Sequence, residues 1–318
     1  LGSYSINCDF VDHYRGQAKE FDYGYEERWV RDIGYGKVIP EAISGFLAQS
    51  GMKIGDFSKV IYPCYFGGTH KAIAARLGIE KEKAQNNLQA VCGDTGTAHP
   101  LVMLVSALEE ANPGDKLLVA GFGQGCDVLA FEVTEKIRDM KLRTGIKGSL
   151  DNRVDLANYQ KFTKFRNLIT ADLGIRGEAN PNTSLTVLWR KRKMLLGLVG
   201  VRCKKCGTPQ FPVYPTCVNP TCWSVNDFED YEFSDKEAKI LMFTGDMLSP
   251  SVDPPAIYGL IAFEGGGRTM FDFTDCDLNQ IKVGMKTRMS FRRRQADNMR
   301  GFTGYFWKAV PQVEGGGK

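Results

Sequence analysis

The stretch Cys203-Lys-Lys-Cys206-Gly207-Thr-Pro-Gln-Phe-Pro-Val-Tyr-Pro-Thr-Cys217-Val-Asn-Pro-Thr-Cys222 decides how the second half of this 318-residue chain folds. Two knuckles of two thiols each, with ten residues between Cys206 and Cys217, offer the four soft ligands that tetrahedral zinc prefers. Gly207 permits the tight turn that aims backbone amides at the sulfurs, and Pro220 shapes the longer second knuckle. All four ligands are thiolates, so no position is left for water, and the expected role is structural rather than catalytic. Iron is the alternative metal for such a set.

Outward from this ribbon the pattern is β-rich. Residues 240–244, 256–263, 269–273 and 287–291 read as short strands, and Gly265-Gly266-Gly267 reads as a hairpin turn. Five or so such strands fit a small barrel of the OB type. Before the ribbon, Tyr159, Phe162, Phe165 and Ile169 recur at helical spacing. Such an aromatic stripe serves either packing or an interaction surface.

Residues 1–137 read as α/β. A helix is expected over 37–50 with Gly51 as its stop, a buried strand over 59–62, and a helix over 71–77 closed by Gly78. A helix over 101–111, apolar all round, is expected in the core. A strand over 116–120 ends in the glycine turn Gly121-Phe122-Gly123-Gln124-Gly125, and a second strand follows over 127–134. The glycines fall as G-x-G-x-G and a strand follows them, so a dinucleotide fingerprint is rejected. The expected organisation is 1–137 (α/β), 138–200 (linker and amphipathic helix), 201–230 (zinc ribbon) and 231–312 (barrel), with a glycine-rich tail at 315–318.

Composition narrows the function classes. Apolar residues make up 43% and charged residues 25%, which is ordinary for a globular chain. The longest apolar stretch, Leu101 to Ala107, is far short of the ~18 residues a membrane helix needs. No secretory signal is visible. The net charge of +4 is mild. The runs Arg190–Lys193 and Arg292–Arg294 are solvated faces or phosphate contacts. Nine cysteines, four of them clustered, argue against a disulfide framework and for a reducing, cytoplasmic setting.

Two resemblances bear on function. Tyr159-Gln-Lys-Phe162, Phe165-Arg166, Gly200-Val-Arg202-Cys203-Lys-Lys-Cys206-Gly207, Phe211-Pro212 and Gly284-Met285 make residues 155–312 resemble the small acyl-CoA-binding zinc-ribbon/OB-fold proteins that accompany thiolases. Cys8-Asp9-Phe10, Gly51-Met-Lys-Ile-Gly-Asp56-Phe57, Ala74-Ala-Arg-Leu77-Gly78, Gly93-Asp94-Thr95, Pro113-Gly114-Asp115 and Gly121-Phe-Gly123-Gln-Gly125 make residues 1–137 resemble the second half of 3-hydroxy-3-methylglutaryl-CoA synthase. That enzyme belongs to the thiolase superfamily, as does ketoacyl synthase III.

In that superfamily a cysteine attacks the thioester while a His and an Asn manage protons and the oxyanion. The nucleophile belongs to the family's first half. The His position falls at or beside Pro63, and the Asn position is Asp94. An ionised Asp accepts hydrogen bonds but donates none. Candidates for residual chemistry are Asp94, His99, His70 and Cys64, the last only if its pKa is lowered. The resemblance further implies CoA contacts at Gly121, Gly123 and Gly125, and at Arg292 and Arg293.

The implied function is a component of an acyl-CoA acyltransferase that forms or cleaves carbon–carbon bonds. It would bind CoA thioesters as substrate and bridge to a thiolase-like or condensing-enzyme chain in a hetero-oligomer or dimer. The chain begins at Leu1, not Met, and the missing half is expected on another chain or on a removed N-terminal segment, so no activity is expected of the chain alone. A non-catalytic acyl-CoA-binding scaffold is the alternative. A nucleic-acid binder is a remote third reading, because it leaves residues 1–137 unexplained.

Overall fold

The computed structural model describes residues 1–140, 144–156, 158–170, 172, 174, 184–297 and 300–312, with the side chains of 295–297 excepted. Part of the expected linker over 138–200, and the glycine tail over 315–318, lie outside the described residues. The chain divides into two compact units, Leu1–Arg153 and Val154–Lys318.

The first unit is built on strands β1 (Gly2–Asn7), β4 (Lys59–Ile61), β5 (Lys116–Gly123) and β6 (Gly125–Glu132), in the order β1-β6-β5-β4. A two-stranded ribbon, β2 (His13–Tyr14) and β3 (Tyr23–Gly24), lies outside this sheet. β5 pairs antiparallel with β6 and parallel with β4. The expected glycine turn is tighter than its composition suggests. Both strands run through the glycines, Gly123 pairs with Gly125, and the reversal is at Gln124. β1 has no expectation in the sequence reading, yet it pairs with β6 from Gly2↔Ala130 to Asn7↔Gly125.

One sheet face carries Leu118, Ala120, Val128 and Ala130, sealed by helices Ile39–Ser50 and Gly67–Leu77. Both helices end where expected, on Gly51 and Gly78 in the left-handed conformation that spares glycine a Cβ clash. Helix Ile39–Ser50 continues from a wide π-type helix, Val30–Val38. The other face carries Ile61, Leu117 and Val119 beneath helix His99–Leu108. That helix is not wholly internal. Met103 and Ala107 are buried, but Leu101 is 59% and Val105 41% exposed. Its all-round apolarity therefore answers to more than the core of this unit. The segment after β6 folds back through helix Gly145–Asp151, whose first amides are capped by the Glu109 carboxylate.

The second unit joins two sheets. β7 (Val199–Cys203), β8 (Pro209–Gln210) and β9 (Phe228–Glu232) form the ribbon, in the order β8-β7-β9. β10 (Ala238–Asp246), β11 (Ala256–Phe263), β12 (Arg268–Asp272), β13 (Lys286–Asp297) and β14 (Phe302–Pro311) form an antiparallel sheet ordered β12-β11-β10-β13-β14. A bridge between Phe273 and Ala309 brings its ends together, giving the nearly closed five-strand barrel expected of an OB fold. Phe211, Phe233, Phe263 and Phe273 fill its interior. The aromatic helix is shorter than its periodicity suggests, Tyr159–Phe165, because Asn167 turns left-handed and the Leu168 amide closes on the Thr163 carbonyl. Tyr159, Phe162 and Phe165 are all exposed, so the stripe is not core packing of this unit.

Gly125 is where β1 and β6 meet most closely. Its φ is 121°, and an added Cβ would stand 2.0 Å from the Ile6 carbonyl oxygen. Gly125→Ala is expected to destabilise the chain by about 1–3 kcal/mol in urea unfolding. Gly123→Ala, where an added Cβ meets nothing within 4 Å, is expected to stay within about 0.5 kcal/mol of wild type.

Candidate functional site

Ligands of open α/β sheets bind at the carboxyl ends of parallel strands. Here the parallel pair is β4 and β5, registered Lys59↔Leu117 to Ile61↔Val119. The segments Tyr62–Phe66 and Gly121–Gly123 therefore leave the sheet at one edge. Tyr35, from the π-type helix, packs between them. Its ring centroid is 4.7 Å from Phe122, 5.4 Å from Tyr65 and 6.1 Å from Phe66. Phe10 extends the layer, 5.7 Å from Phe122 and stacked at 5.3 Å on Trp29. Gly34 permits this approach, since an added Cβ would sit 2.9 Å from both Phe10 and Phe122. Burial, with Asp94 next, raises the Tyr35 pKa well above the ordinary phenol value. Burial, then Asp12 and Asp94, raises that of Tyr65. Both phenols are protonated at neutral pH.

Four candidates for chemistry lie around this edge, in different environments. Asp94 is exposed, and its Oδ1 accepts from the Gly96 amide at 2.8 Å. Cys64 is buried, its thiol donates to the Phe66 carbonyl, and burial pushes its pKa up to about 11. That is opposite to what an attacking thiolate needs. His70 stacks on Tyr62 at 4.4 Å, and its Nε2 is sealed without a partner. Burial lowers its pKa from 6.5, so the neutral ring is favoured.

His99 is 2% exposed, with both ring nitrogens engaged. Nε2 lies 2.6 Å from the Asn87 carbonyl, so it donates there. Nδ1 accepts from the Thr95 hydroxyl at 3.1 Å. The tautomer follows from these partners. His99 thus clamps the loop that carries Asp94. Asn87 extends the clamp, donating from Nδ2 to the Cys64 carbonyl at 2.9 Å. Asp94 and Cys64 both act electrostatically on Tyr35, and so belong to one neighbourhood.

The candidate CoA residues fall in both units. Gly121, Gly123 and Gly125 line the β5–β6 reversal. Arg292 donates from Nε to Ser290 Oγ at 2.8 Å and pairs with Asp275, while Arg293 stands opposite Tyr305 on β14. Sequence reasoning misses Tyr35, Tyr65 and Asn87. Only the flanking Gly34 and Gly36 mark Tyr35 as a place of close approach.

The second site is the cysteine cluster. The four Sγ atoms of Cys203, Cys206, Cys217 and Cys222 lie within 4.8 Å of one another. Cys203–Cys222 are 3.7 Å apart and Cys206–Cys217 3.6 Å. A tetrahedron with zinc–sulfur bonds of about 2.3 Å has edges of about 3.8 Å, so the set fits zinc. β7 delivers Cys203, and Gly207, at φ 74°, turns the chain so that its amide closes on the Cys203 carbonyl. The hydroxyl and amide of Thr208 lower the Cys206 pKa to about 6, while burial pushes that of Cys217 up to about 12. Four thiolates this close need a cation between them. Gln210, 1% exposed, braces the second knuckle by donating to the Tyr214 and Thr216 carbonyls and accepting from the Val218 amide.

Purified chain is expected to hold one zinc per molecule by elemental analysis, and Cys217→Ser to lose it and melt at lower temperature. Acidification should release the metal as protons compete for the thiolates. His70 carries a separate pH signature. Its folded pKa lies below 6.5, so the stability its neutral form provides is complete above 6.5 and lost as pH falls below it. His70→Phe, which keeps the stack on Tyr62, should flatten that part of the stability–pH curve.

Comparison with known proteins follows the same division. Residues 47–133 match the family described as 3-oxoacyl-[acyl-carrier-protein (ACP)] synthase III C terminal. Residues 195–226 match the ChsH2 rubredoxin-like zinc ribbon domain, and residues 232–292 the ChsH2 C-terminal OB-fold domain. A hydroxymethylglutaryl-CoA synthase of Aeropyrum pernix is 29% identical over 168 residues, 52% of this chain and 46% of that protein. The chain thus spans about half the length of the synthases it matches. A solved HMG-CoA synthase complexed with CoA aligns over 57% of this chain and 50% of that one, at 16% identity and a TM-score of 0.43. A DUF35 domain-containing scaffold protein of Methanocaldococcus jannaschii is 32% identical over 126 residues, 39% of this chain and 87% of that protein. No helix among the described residues is long and apolar enough to cross a membrane. The chain belongs to the DUF35 domain-containing family, and joins that family's zinc ribbon and OB barrel to a thiolase-like half-domain.

Proposed function

We propose that this chain is one component of an acyl-CoA acyltransferase of the thiolase class. It binds a CoA thioester at the carboxyl edge of β4 and β5 and docks through an uncovered apolar face onto a condensing-enzyme chain. That face is the observation that carries the reading. Register places Leu129 opposite Val119 and Phe131 opposite Leu117, on the side where helix His99–Leu108 packs. Yet Leu129 is 40% and Phe131 41% exposed, and Leu101 and Val105 of the helix are exposed as well. Large apolar side chains left exposed on a strand face whose neighbouring strand is covered mark an interface. A condensing-enzyme half is a fitting occupant, because the chain spans about half of the synthases it resembles.

The zinc ribbon and barrel supply the bridging part of the proposal. The exposed Tyr159, Phe162 and Phe165 give that unit its own docking stripe. Each unit carries its own proposed CoA contacts, Gly121, Gly123 and Gly125 in the first and, separately, Arg292 and Arg293 in the second, the arginines through phosphate.

A second reading, a non-catalytic acyl-CoA-binding scaffold, draws on Pro63 and Asp94 standing where the family has His and Asn, and on His99 being fully engaged. The two readings part on simple measurements. The chain alone should not turn over acetyl-CoA and acetoacetyl-CoA, and turnover by the chain unaided would sink the split-site proposal. In the assembled complex, Asp94→Ala should cost ~10²-fold or more in kcat if the carboxylate does acid–base work. Undiminished activity in that variant would leave the scaffold reading standing.

A further inference from the structure

We propose that Tyr35 is the hydrogen-bond donor of this half-site, its hydroxyl directed at the carbonyl oxygen of a thioester bound at the carboxyl edge of β4 and β5. The inference rests on the CoA-thioester reading above and names the group that would polarise that thioester.

Stabilising charge on a thioester oxygen requires a donor aimed at it. Asp94 as a carboxylate only accepts. His99 spends Nε2 on the Asn87 carbonyl and Nδ1 on Thr95. The Cys64 thiol is turned onto the Phe66 carbonyl. His70 Nε2 is sealed from solvent, and so from any ligand.

Tyr35 differs from all of these. It is 6% exposed, yet its hydroxyl has no hydrogen-bond partner among the described residues. The sealed, unpartnered polar side-chain atoms among those residues are His70 Nε2 and Gln85 Oε1. The Tyr35 oxygen is not one of them, so the small remaining exposure of this side chain includes its hydroxyl. A buried ring whose unpartnered donor is not sealed from the surface is a prepared contact.

Its surroundings fix where that contact lies. Phe122 at 4.7 Å comes from the end of β5, and Tyr65 at 5.4 Å and Phe66 at 6.1 Å come from the loop after β4. Asp94 and Cys64 stand within electrostatic reach of the phenol. The Gly34 close approach locks the helix that carries it. Tyr65 is the neighbouring phenol, but it is 39% exposed and lacks this confinement. A donor held by packing loses less on binding than one that must first be ordered. Burial also keeps the Tyr35 phenol protonated across the physiological range, so it remains a donor.

The test uses the chain with the partner that copurifies with it, loaded with acetyl-CoA labelled with carbon-13 at the thioester carbonyl. Infrared difference spectra should show the bound carbonyl stretch lowered from its value in free acetyl-CoA. Tyr35→Phe keeps the ring and should return the stretch to the free value. It should also lower kcat by ~10²–10³-fold with KM little changed, the pattern of a contact strengthened in the transition state. Tyr14→Phe, on the outlying ribbon β2–β3, should leave both readouts at wild-type values. A fluorinated tyrosine at position 35, a stronger donor of nearly the same shape, should lower the stretch further. It also provides a second measurement should the phenylalanine variant fold poorly. Bound thioester whose stretch ignores both changes at position 35 overturns the Tyr35 assignment alone. Failure of the wild-type assembly to bind acetyl-CoA overturns the CoA reading, and this inference with it.

Discussion

A β-sheet has two faces, and both must be kept from water when both are apolar. In the first unit, helices Ile39–Ser50 and Gly67–Leu77 close the face of Leu118, Val128 and Ala130. The opposite face carries Leu117, Val119, Leu129 and Phe131, and helix His99–Leu108 covers only part of it. Much else in the unit follows from this imbalance. It explains why that helix is apolar all round although one side of it meets no core. It also makes the unit a candidate for completion from outside. Leu101, Val105, Leu129 and Phe131, each two-fifths exposed or more, would be costly to leave open in a free-standing fold.

The second unit solves its stability problem differently. The ribbon β7-β8-β9 is too small to support a core of its own, and the cysteine tetrahedron ties its two knuckles together in place of apolar packing. Gln210 does with three hydrogen bonds what a hydrophobic side chain would do elsewhere. It fixes the loop carrying Cys217 from within the ribbon strand β8. The barrel beside it holds a conventional aromatic core, with Phe233 and Phe211 at 5.5 Å and Phe233 and Phe263 at 4.9 Å.

What was legible in the sequence was local. Cysteine spacing declares a metal site because the ligands are few and near in sequence. Gly51 and Gly78 declare helix ends because the left-handed residue sits at the stop itself. Strand β1 was not legible, since its pairing with β6 joins residues more than a hundred positions apart and its alternation is half-exposed. Strand β14 was hidden for a related reason. The bulge between Arg293 and Gln295 shifts its register against β13, so a simple in–out alternation fails along the hairpin. At the candidate site, composition draws the eye to His and Cys. The tertiary structure assigns His99 to a loop clamp and turns Cys64 inward, whereas Tyr35 gains its place only through contacts with two distant segments.

The chemistry open to this edge follows from which hydrogen bonds remain unmade. Of the three imidazoles in the chain, His70 is sealed, His99 has both nitrogens engaged, and His13 sits on the exposed ribbon with Nδ1 against Asp12 at 2.8 Å. A site without an available imidazole near its carboxylate is poorly equipped to shuttle a proton near neutral pH. It still offers a protonated phenol as donor, Asp94 as acceptor, and an aromatic layer of Phe10, Trp29 and Phe122. Such a set suits holding and orienting a thioester more than cleaving it. Orientation is itself a large part of catalysis when the attacking group is supplied elsewhere. A half-site specialised for holding is what a division of labour between two chains requires. On the proposed reading, the side with Pro63 and Asp94 would keep the contact that positions the carbonyl and leave the bond-making thiolate to a partner.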